Sequence, residues 1–119
     1  MLNSADPDAP GGLEIARTIA RLLDHEWQEV LLDGDAVGNV GLYPWDAGHP
    51  IVLDTSAAAA LGYSPVGDYA ATVVDEVDWL VTAARGGADA AKLPNEDDPF
   101  FAPLLDYAAE DRFLETHAN

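Results

Sequence analysis

Short apolar stretches at helical spacing alternate along this chain with loops dense in glycine, proline and aspartate. Ile15, Ala16, Ile19, Leu22 and Leu23 recur at intervals of three and four, which predicts an amphipathic helix over 13–24. Leu2-Asn3-Ser4 reads as a short strand before it, and 5–12 as an Asp/Pro/Gly loop. The apolar run Val30-Leu31-Leu32 predicts a strand over 27–32. Strand, helix and strand in that order suggest a small βαβ unit with two parallel strands, whose faces must be covered.

The stretch 33–50 is the longest irregular one, with four glycines, two prolines, Tyr43 and Trp45. Ile51 to Leu53 reads as extended. Asp54, Thr55 and Ser56 then offer cap oxygens to a helix over 57–61, and Gly62 fits its stop. Asp68 caps a helix over 69–84, where Val73, Val74, Val77, Leu80 and Val81 form a stripe. A linker rich in glycine and aspartate over 85–99 leads to a last helix over 100–114, with Phe101, Leu104, Leu105 and Ala108 facing inward. The expected fold is mixed α/β and helix-rich: the two-strand βαβ unit plus three further helices. Residues 1–84 form the main region, 85–99 the linker and 100–119 a helical extension.

Composition narrows the class. A chain of 119 residues with 49% apolar content suits one folded domain. Its net charge of −17 and the lack of any basic patch disfavour nucleic acid and anionic membranes as partners. No apolar run approaches a membrane span, and the acidic N-terminal stretch has no signal pattern, so a cytoplasmic location is expected. With no cysteine there is no disulfide, thiolate nucleophile or Cys-type zinc site.

The segment 49–80 carries a resemblance. A short apolar stretch leads to Asp54-Thr55-Ser56, an alanine helix, the turn Leu61-Gly62-Tyr63-Ser64-Pro65 and an amphipathic helix bearing Trp79-Leu80. This order resembles the C-terminal, substrate-binding region of the extended short-chain dehydrogenase/reductases, the NAD-dependent epimerase/dehydratase family. The segment 2–23, with Asn3, Asp6, Glu14, Ile15 and Ala16, looks like the same family's strand-loop-helix. The resemblance covers most of residues 2–84. It implies a lobe that works with a Rossmann half on sugar-nucleotide-type substrates, with NAD or NADP as the cofactor of the intact enzyme.

The family's catalytic step needs a tyrosine followed four places on by a lysine. Tyr43, Tyr63, Tyr69 and Tyr107 are followed there by Ala47, Gly67, Val73 and Asp111, and the one lysine, Lys92, by this spacing pairs with Ala88. The pair is absent. Gly34, Gly38 and Gly41 imitate a dinucleotide-binding turn, but Leu42-Tyr43-Pro44-Trp45 follows where a helix must start. A turn is the better reading, and no cofactor is expected to bind this chain alone. Asp33 to Pro44 lacks two calcium ligands at the required positions, and His25, His49 and His117 have no metal-site spacing. Ser64 is followed by Pro65, which removes an amide that a nucleophile elbow uses, so Ser64 is a turn residue. Asp75, Glu76 and Asp78 lie opposite the valine stripe, as a solvated face does. No catalytic or metal residue is assigned. Tyr43, Trp45 and His49 are the candidates for lining a substrate cleft, against the alternative that they anchor the loop to the core.

Two functions follow as expectations. One is the substrate-binding portion of an NAD-dependent epimerase/dehydratase, inactive alone. The other is a non-catalytic interaction or oligomerisation module built on the same lobe. Both predict bare apolar surface, and so a homodimer or a Rossmann-domain partner.

Overall fold

The computed structural model describes residues 2–42 and 48–117. The order is α1 (Gly12–Leu22), α2 (Ser56–Ala59), α3 (Tyr69–Thr72), α4 (Val74–Ala84), two 3₁₀ turns (Ala90–Lys92 and Ala102–Leu104) and α5 (Tyr107–His117). No helix among these residues is long and apolar enough to cross a membrane.

The expected βαβ unit is not there. The described residues contain no β-strand, only one antiparallel bridge between Val37 and Val40. That bridge closes a two-residue turn whose first central position is Gly38 at φ 63°, a backbone state that suits glycine. Leu2–Ser4, Trp27–Leu32 and Ile51–Leu53 have strand-like side chains and no ladder between them. Two parallel strands are marginal without cover on both faces. Here α1 is the only helix between the first two segments, so one face would stay open.

Helix ends follow the sequence closely. α1, α2 and α4 each close with a paired backbone motif at a residue of positive φ. After α2, Tyr63 N–H donates to the Ala58 carbonyl and Gly62 N–H to that of Ala59, with Gly62 at φ 93°. After α4, Gly87 and Gly86 donate to Thr82 and Ala83, with Gly86 at φ 89°. After α1, His25 and Asp24 donate to Ala20 and Arg21, and there an aspartate stands at φ 49°.

Two expected helices are broken. The helix over 69–84 divides at Val73. Thr72, Val73 and Val74 are three β-branched residues in a row, and the Thr72 hydroxyl donates to the Asp68 and Tyr69 carbonyls in competition with the backbone. The helix expected over 100–114 starts late, at Tyr107. Pro103 has no N–H for a helix interior, and the Asp106 carboxylate accepts from Ala109 N–H at 3.0 Å to cap a new start. Leu104 and Ala108, expected inward, are exposed, and Phe113 is buried instead.

α1 contacts α4, and the buried residues they contribute are Thr18, Ala20, Val77 and Ala83. Ala58 and Phe113 complete the buried set among the described residues. Such a core is small. A folded monomer of 12.6 kDa exposes about 6,200 Å², whereas this chain exposes 9495 Å². Its radius of gyration is 17.5 Å, against about 13.5 Å for a compact domain of the same length. Much of the chain's apolar surface is therefore left in water.

Candidate functional site

A largely apolar groove lies between the start of α1 and the segment after the long loop. It has a volume of about 570 Å³ and is lined by Ala9, Pro10, Gly11, Gly12, Ile15, His49, Pro50 and Ile51. Gly11 caps α1 without a side-chain bond, so the first-turn amides of Gly12, Leu13 and Glu14 have no side-chain acceptor from the cap. His49 is exposed at the wall and is the candidate cleft residue that the structure places on a groove. Tyr43 and Trp45 lie outside the described residues.

Two long-range hydrogen bonds hold the N-terminal segment against the region after the groove. Asn3 Nδ2 donates to the Asp54 carbonyl at 3.1 Å, and the Tyr63 hydroxyl donates to the Ala5 carbonyl at 3.1 Å. Tyr63 thus acts as an anchor across 58 positions of sequence. Nothing local to Tyr63 signals that role, because the partner is a backbone carbonyl. The Asp54 carboxylate accepts from Ser56 N–H at 2.9 Å at the entrance to α2, and this bond holds its pKa below the ordinary value.

Two further polar tethers organise the rest. Arg17 on α1 makes a bidentate pair with Glu29, with bonds of 2.7 and 2.6 Å, which fastens the segment 27–32 to the helix. The hydrogen bond from Arg17 lowers the Glu29 pKa and raises that of Arg17. Asp89 accepts from Trp79 Nε1 at 3.0 Å and pairs with Lys92 at 2.6 Å. Lys92 first, then Trp79, holds the Asp89 carboxyl below its usual value. Trp79 is therefore bonded to the loop after α4 as well as flanking the valine stripe. Asp75, Glu76 and Asp78 are exposed.

Among the described residues no three His, Asp or Glu side chains are grouped as a metal would require. The groove offers apolar wall, backbone amides and one imidazole, groups that can hold a ligand. Comparison with protein-family models, curated proteins and solved structures finds no match to this chain.

Proposed function

We propose that this chain is a non-catalytic lobe that works docked to a cofactor-binding partner, as the substrate-side portion of an NAD-dependent epimerase/dehydratase. The observation that carries this reading is the surplus of exposed surface. The chain leaves about 3,300 Å² more in water than a monomer of its mass, more than the roughly 1,000–2,500 Å² that one partner contributes to a typical permanent complex. The sequence adds the family-like order from Asp54 to Leu80, and the absence of a Tyr-x-x-x-Lys pair means that proton transfer must come from elsewhere. In this reading the groove beside His49 faces the substrate, a sugar nucleotide, while the partner binds NAD or NADP.

The test is a titration of the purified chain with NADH, followed by fluorescence, alone and then with a Rossmann-type cofactor half supplied separately. The chain alone gives no saturable binding, and dehydrogenase or epimerase turnover appears only in the mixture. NADH bound by the chain alone would refute the reading. A stable homodimer that ignores the cofactor half would favour the interaction-module alternative.

A further inference from the structure

The segment from His49 to Gly67 differs from the rest of the chain. Of the 22 carboxylates only Asp54 falls within it, and it has no lysine or arginine. Ile51, Val52, Leu53, Leu61 and Val66 are all exposed, with Val52 at 69% and Val66 at 97%. Leu2, also exposed, precedes the Asn3 that is bonded to Asp54. Depletion of charge around a bare aliphatic cluster is the composition of an interface centre. The backbone is open as well. Among the described residues, none hydrogen-bonds to the amides or carbonyls of Ile51, Val52 or Leu53. Three consecutive aliphatic residues with unspent backbone groups are what an added strand pairs with.

We infer that Ile51-Val52-Leu53 is a strand-addition site, and that its occupant is an open sheet edge of a partner protein with an apolar centre flanked by lysine or arginine. Charge chooses between this occupant and a second copy. Each copy carries −17, Asp46 and Asp68 border the charge-poor segment in sequence, and Asp6 follows the Ala5 whose carbonyl accepts from Tyr63, so two copies repel while a cationic rim is attracted. The surplus surface is large enough for a permanent interface of this kind. The inference rests on the docking-lobe reading, and it adds which backbone is used and the charge of what covers it.

The test uses the full chain and three synthetic strands: Lys-Val-Ile-Val-Lys, its glutamate-flanked counterpart, and the lysine peptide with alternate amides N-methylated. Isothermal titration and hydrogen exchange report binding and its location. The lysine peptide binds saturably, weakens with added salt, and slows exchange at residues 51–53. The glutamate and N-methylated peptides bind about tenfold more weakly or not at all. Val52→Pro and Leu53→Pro test alternate backbone positions, and at least one of them abolishes binding while circular dichroism reports unchanged helix content. Equal binding of all three peptides, or binding retained by both proline variants, overturns the inference. So does a dimer of the chain that excludes the peptide. Because no cofactor enters these measurements, the strand site can fail while the NADH test succeeds, and the reverse.

Discussion

Asp24 stands at φ 49° in a position where α2 and α4 use Gly62 and Gly86. Replacing it by glycine should make the protein more stable. A non-glycine residue in this left-handed region costs about 1–2 kcal/mol. Glycine gives back about 0.5–1 kcal/mol through the greater entropy of its unfolded chain. Aspartate tolerates this region better than most residues, so the difference leaves Asp24→Gly more stable by at most about 1 kcal/mol. No hydrogen bond of the Asp24 side chain is lost among the described residues, and its backbone bonds to Arg21 and from His25 to Ala20 stay as they are. The reverse change applies at Gly86. An added Cβ there meets no atom within 4 Å, so the cost of Gly86→Ala is conformational and comes to about 1 kcal/mol. Urea unfolding followed by circular dichroism reads both. With a slope of about 1–3 kcal/mol/M, the midpoints should move in opposite directions by a few tenths of a molar. If Asp24→Gly lowers the midpoint, or both variants move the same way, the conformational argument for these helix stops is wrong.

Gly41, at φ 79°, carries the same conformational cost as Gly86, and an added Cβ would also push the Leu32 Cδ1 methyl aside, so Gly41→Ala should destabilise the region 32–41 by at least as much as Gly86→Ala does, read in the same titration. Asp68 accepts from Ala71 N–H at 2.9 Å, and Asp68→Ala should cost about 1 kcal/mol and lower helix content around 69–72, whereas Asp75→Ala on the exposed face should be close to neutral. The tethers predict a pH dependence. Glu29 and Asp89 have lowered pKa values in the folded chain, so their contribution is present above the ordinary carboxylate range and is lost as pH falls through the lowered values. The Trp79 indole N–H resonance should therefore shift below about pH 4, and Asp89→Asn should remove most of that shift.

Local chemistry made much of the architecture legible. The Asp68 cap, the stop at Gly62, and the exposed Asp75, Glu76 and Asp78 all depend on residues within one or two turns of one another. Pro103 and Asp106 mark the α5 start locally, but the sequence reading rested on the apolar spacing of Phe101, Leu104 and Leu105 and carried the helix back to residue 100. The strands failed for a different reason. A valine-leucine run states that a segment would suit a ladder, and the ladder itself requires a neighbour that none of the described residues supplies to Val30–Leu32 or Ile51–Leu53. The anchors from Tyr63 to Ala5 and from Asn3 to Asp54 join positions more than 50 residues apart and leave no local mark. Of the candidate cleft residues, His49 stands on a groove, and its partners there, Gly12 and Ile15, belong to a helix that the pattern had placed but could not orient.

An unfinished surface is the centre of this account, and small-angle scattering of the isolated, monomeric chain measures it directly. The expected radius of gyration is near 17.5 Å. A monomer that settles near 13.5 Å, about the size of a self-sufficient domain, would contradict it.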